Sequence, residues 1–189
     1  AIELPAPGGS DVWFKFDEAD GSLCVTDSIN GFVSTAFHGK FLDHGIFEGC
    51  VSFEDKKDGI QLGTAGAPGG TFFNSGFSKR TLTFWFNASS IDGKQMLAEL
   101  GGSLAGMAVR INNGILEAAI ATSSDGSSPV TTQVGNITLN EKDVGRWIHI
   151  ALSFNEGKCE FYVDGKLVGE GTAAEASVRD AKNPSDIAC

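Results

Sequence analysis

GRWIHIALSFNEGKCEFYVDGKLVGEG, residues 145–171, decides the fold. Within it Ile148, Ile150, Leu152 and Phe154 fall on one side of the chain, and Trp147, His149, Ala151 and Ser153 on the other. A period of two marks a strand with one face against a core. Asn155-Glu156-Gly157-Lys158 reverses the chain, and Phe161 and Val163 resume the alternation. Asp164-Gly165 then signals a two-residue turn, because a type I′ turn needs positive φ at both central positions.

The same pattern extends upstream. Leu82, Phe84 and Phe86 alternate with Trp85 on the opposite face. Met107, Val109 and Ile111 run into Asn112-Asn113-Gly114, and Leu116, Ala118 and Ile120 run out, which predicts an Asn-Gly hairpin. Short strands are expected at residues 49–53 and 59–62, a longer one at 130–139, and a helical turn at 140–143. Val12, Phe14 and Phe16 read as the inward row of a first strand. Strand signals at this spacing predict two packed antiparallel sheets.

The 145–171 segment resembles the laminin G-like, concanavalin A-like jelly-roll domains. There a W-x-H-[VI]-A-[LV]-[ST]-[FY] strand precedes a [LF]-Y-[VI]-D-G hairpin. The match runs through Trp147, His149, Ile150, Ala151, Leu152, Ser153 and Phe154, then Phe161, Tyr162, Val163, Asp164 and Gly165. DVWFKFDE (11–18), DSINGF (27–32) and TLTFWFN (81–87) occur upstream in the family's order, so the likeness spans roughly residues 11–171. It implies an all-β, two-sheet antiparallel jelly-roll sandwich. It also implies a lectin-like, non-catalytic extracellular module that recognises glycan or polysaccharide, with calcium shaping its loops. Asp27 and Asn30 match the family's calcium-binding D-S-x-N-G loop; the alternative is an Asx-turn in which both cap their own backbone. The family's closing I-D-E-[VL]-R strand has no match after Gly171. The last strand is therefore missing, diverged into residues 177–189, or donated by a partner chain.

Composition bounds the reading independently. At 189 residues, residues 1–10 read as a lead-in and 11–189 as one domain. Twenty-five glycines against five prolines suit many short strands joined by tight turns. A net charge of −10 disfavours nucleic acid and anionic lipid as partners. No apolar run reaches the roughly 18 residues of a membrane span, and the amino terminus reads as already processed or cut. Cys24, Cys50, Cys159 and Cys189 lack C-x-x-C spacing; pairs Cys24–Cys50 and Cys159–Cys189 are expected, with buried free thiols as the alternative. Sequons at Asn87 and Asn136 fit a secreted glycoprotein at the cell surface.

Catalysis is not expected. Retaining glycosidases need two carboxylates about 5 Å apart, which the family's hydrolases carry on an E-x-D-x-x-E run absent here. The nearest candidates are Glu160 and Asp164, and the turn already requires Asp164. His38, Asp43 and His44 fit no common zinc spacing and read as a solvated loop. Trp85 is the candidate sugar platform, with Trp13 and Trp147 as alternatives. A second reading makes the domain a structural or adhesive block of a surface filament or matrix, contacting proteins, or copies of itself, through sheet edges and loops.

Overall fold

A computed structural model describes residues 11–63, 70–102, 104–181, 183 and 185–188. Residues 1–10, Cys189 and part of the Gly-rich stretch, 64–69, lie outside the described residues. The strands are β1 (Ala36–His38), β2 (Lys40–Leu42), β3 (Cys50–Ser52), β4 (Gly59–Gly63), β5 (Lys79–Asn87), β6 (Lys94–Gly102) and β7 (Ala105–Asn112). They continue as β8 (Ile115–Thr122), β9 (Val130–Thr138), β10 (Trp147–Asn155), β11 (Lys158–Val163), β12 (Lys166–Thr172) and β13 (Ser185–Ile187). One short helix, α1 (Gly70–Asn74), precedes β5.

Seven strands form one antiparallel sheet in the order β1-β4-β13-β6-β7-β8-β9, and four form the other, β12-β11-β10-β5. A ribbon of β2 and β3 stands apart. The alternating rows meet between the sheets: Met107, Val109, Ile111, Leu116, Ala118 and Ile120 face Ile148, Ile150, Leu152, Phe154 and Phe161, all at most 1% exposed. A second, Phe-rich cluster of Val25, Phe41, Ile60, Leu62, Phe73 and Leu100 lies beneath the amino-terminal ribbon. Leu82 packs against both clusters.

The turn chemistry follows the sequence. Asn113-Gly114 and Asp164-Gly165 have positive φ at both residues (49° and 78°; 49° and 76°). The 155–158 reversal is tighter than expected, with Glu156-Gly157 alone (49° and 93°) joining β10 to β11. The helical turn is a 3₁₀ helix, Glu141–Asp143, closed by a capping box between Asn140 and Asp143.

Two expectations are corrected. The 11–18 segment is not a sheet strand: it forms one isolated bridge, Phe14 to Asp27, because Trp13 gives its N–H to the Asp27 side chain and Phe16 turns at φ 60°. Val12, Phe14 and Phe16 still pack on the second cluster. The Cys24–Cys50 bond is not formed, and both are free thiols. Cys50 is held in the β2–β3 ribbon opposite Leu42, whereas Cys24 precedes Val25, whose N–H is fixed by Ser34. Cys159 is fully buried beside Phe161 and fills a small apolar position, as free cysteine commonly does; its expected partner, Cys189, is outside the described residues. The alternative of a strand diverged into residues 177–189 agrees with β13, which lies in that tail and pairs with β4 on one side and β6 on the other.

Candidate functional site: the outer face of the four-stranded sheet

Alternation along β5 turns Thr81, Thr83, Trp85 and Asn87 outward, because Leu82, Phe84 and Phe86 face the core. The register sets Trp85 directly opposite His149 and Thr83 opposite Ala151, with Tyr162 beyond it on β11. Trp85 is 39% exposed. Its ring lies 5.0 Å from the His149 ring, centroid to centroid. Phe47, from the loop between β2 and β3, meets it at 82° and 6.4 Å, and is itself 61% exposed. The three rings make an open aromatic corner. A large exposed ring on a sheet face is the informative exception to burial.

Polar groups surround the corner. His149 Nε2 is 2.8 Å from Thr83 Oγ1, and that hydroxyl donates to the Ile150 carbonyl at 2.9 Å. The His149 backbone N–H donates to Asp164 Oδ1, and Arg146 donates to Asp164 Oδ2 (2.7 Å) and Asp143 Oδ1 (3.0 Å). Burial pushes the Asp164 carboxyl up, but the Arg146 and His149 donors outweigh it and hold Asp164 below the usual carboxylate range. Glu160 accepts from Lys158 and from the Tyr162 hydroxyl, which lowers Glu160 and raises both partners. The pair nearest to a catalytic arrangement in the sequence, Glu160 and Asp164, is thus held ionised. Neither has the raised pKa of a general acid at neutral pH.

Other expected site residues lie elsewhere. Asp27, 1% exposed, accepts from the N–H groups of Trp13 (2.7 Å), Ile29 (3.2 Å) and Asn30 (2.7 Å). Asn30 gives its side-chain amide to the Asp11 carbonyl. Three N–H donors converge on this carboxylate, the geometry of the Asx-turn alternative. Among the described residues no group of three or more His, Cys, Asp or Glu side chains could hold a metal. Trp13 is half-buried with Lys15 over its ring, and Trp147 is half-buried opposite Asn87. Asn87 and Asn136 are exposed, and Asn87 shares the outward face of β5 with Trp85.

Two features escaped the sequence. Phe47 joins the corner across a loop, with no spacing signal to announce it. Glu99 and Asp186 sit directly opposite each other across β6 and β13, and burial, then for Glu99 the charge of Asp186, raises them. Asp186 also borders a shallow cleft of about 320 Å³ with His38, Lys56, Lys57 and Gln61.

Residues 54–188 match the sequence model of the laminin G type within the concanavalin A-like lectin/glucanases superfamily. The chain belongs to this laminin G family. A search of curated protein sequences gives no significant match. Among solved structures, it is similar to the receptor-binding domain of botulinum neurotoxin D (TM-score 0.64, 10% identity, 91% of this chain and 45% of that one). The binding domain of Paraclostridial Mosquitocidal Protein 1 is also similar (0.61, 14%, 92% and 45%). So is botulinum neurotoxin type C, whose cell entry depends upon interaction with two ganglioside molecules (0.54, 14%, 92% and 43%). This laminin G chain spans less than half the length of those chains, and at such identities the likeness is one of fold.

Proposed function

We propose that this laminin G domain is a non-catalytic, extracellular glycan-binding module that uses the outer face of its four-stranded sheet. The observation that carries the reading is the exposed Trp85 flanked by Phe47 and His149. A sugar ring has an apolar face of C–H groups and a rim of hydroxyls. An aromatic plane edged by hydrogen-bonding groups matches both. The interaction of the type C toxin with ganglioside molecules gives the reading support at the level of the fold. The calcium implied by the resemblance is not needed for it, because N–H groups already organise the Asp27 loop.

Glycan-array screening followed by calorimetry tests the proposal. Trp85→Ala is expected to weaken binding at least ~10-fold, as for a buried aromatic anchor, while EDTA leaves it unchanged. Absence of any glycan ligand would overturn the reading. So would hydrolysis of a ligand that is lost in Glu99→Gln, since that would make the domain an enzyme. One observation favours the structural or adhesive alternative: β12, at an edge of the four-stranded sheet, exposes Leu167 and Val168. Concentration-dependent self-association without sugar affinity would support it.

A further inference from the structure

We propose that the sugar taken at the Trp85 corner is neutral and donates a hydroxyl hydrogen to Nδ1 of His149, making His149 the residue that sets specificity; this rests on the glycan-platform reading above.

The Thr83 hydroxyl reaches a carbonyl that can only accept and a ring nitrogen that can do either, and giving its hydrogen to the carbonyl assigns the tautomer. A threonine hydroxyl carries one hydrogen, and that of Thr83 goes to the Ile150 carbonyl. The contact between Thr83 Oγ1 and His149 Nε2 therefore has the imidazole as donor, so the neutral ring carries its hydrogen on Nε2. Nδ1 is left with a lone pair, and no hydrogen bond among the described residues uses it. An acceptor nitrogen thus stands beside the exposed Trp85 ring. A hydroxyl projecting from a sugar stacked on that ring is a complementary donor.

Charge points to the same class. Three basic side chains on or beside the four-stranded sheet are already paired: Lys79 with Glu156, Lys158 with Glu160, and Arg146 with Asp143 and Asp164. Lys166 sits on β12, three strands across from the strand that carries Trp85. A carboxylate-bearing sugar at Trp85 would have to break one of these pairs or reach across to Lys166 to gain a counter-ion, against the field of a chain of net charge −10. It would also set its negative charge against the His149 lone pair. A neutral sugar meets neither cost.

The test titrates the full chain, at a mildly alkaline pH where imidazole is neutral, with lactose, cellobiose and xylobiose beside sialyllactose and a hyaluronan oligosaccharide. Tryptophan fluorescence and calorimetry are the readouts. At least one neutral sugar is expected to bind about tenfold or more tighter than either anionic one. His149→Phe, which keeps a ring beside Trp85 but no acceptor, is expected to lose about tenfold. His149→Asn, which can place a carbonyl oxygen near the Nδ1 position, recovers most of that loss. Tighter binding of an anionic sugar that still depends on Trp85 would overturn this inference and leave the platform standing. Unchanged affinity in His149→Phe would do the same. No binding by any of the five, with Trp85→Ala indistinguishable from wild type, would overturn both.

Discussion

At the scale of single residues, side chains with the same sequence prominence do opposite jobs. Asp27 and Trp85 both stood out in the sequence. Asp27 turned inward to gather three backbone N–H groups, while Trp85 stayed outward. Asp27→Ala would leave those donors without their acceptor in a buried setting, and is expected to cost about 2–4 kcal/mol in chemical denaturation. Added calcium should not change the midpoint of either form; a calcium-dependent rise in the wild type would show that the loop holds an ion after all. Trp85 was legible because alternation alone assigns it to the outer face. Phe47 was not, since a loop residue has no period to betray its direction. Cys24 and Cys50 were misread for a related reason: an even count at long spacing is compatible with a disulfide framework and equally with half-buried free thiols. Thiol labelling of the native chain should modify half-buried Cys24 and Cys50 before buried Cys159, which reacts only on unfolding.

At the scale of elements, the hairpins were almost fully readable, and the joints between sheets were not. β7–β8 and β11–β12 carry Asn-Gly and Asp-Gly, whose backbone preference dictates the turn. Where β9 of the large sheet passes β11 and β12 of the small one, closeness depends on two glycines. A Cβ on Gly169 would stand 1.9 Å from the Val134 carbonyl oxygen, and one on Gly135 would stand 2.3 Å from the Phe161 ring. Gly169→Ala is expected to destabilise the domain by about 1–3 kcal/mol or more, because the obstacle is backbone and cannot rotate away. A melting temperature equal to that of wild type would show that the sheets can part there without penalty. No sequence pattern distinguishes these glycines from the turn glycines around them. The short β13 was equally hidden: three residues give too brief an alternation, and its place follows from pairing with β4 and β6.

At the scale of the whole molecule, β13 is the piece that makes the large sheet continuous. It lies between the β1–β4 pair and the β6–β9 strands, with Ser185 buried and bonded to Asn74 and to the Gly101 N–H. A chain ending at residue 181 is expected to lose its cooperative thermal transition or melt far lower, while retaining wild-type stability would refute this role. The strand also brings Asp186 against Glu99, and both carboxyls have pKa values raised on folding. The folded state therefore holds protons more tightly than the unfolded one, so this contribution is full at acidic pH and is lost as pH rises through the raised values. Melting temperature should fall as pH rises above the ordinary carboxylate range, and Glu99→Gln or Asp186→Asn should flatten that slope; an unaltered slope in both would place its origin elsewhere. Because β13 follows every other described strand, a ribosome will have made all of those before the gap between β4 and β6 can be filled. Assembly is for that reason bound to finish after synthesis of residue 187, and a nascent chain halted short of it would present two bare backbone rims to whatever chaperone or neighbouring strand meets them first.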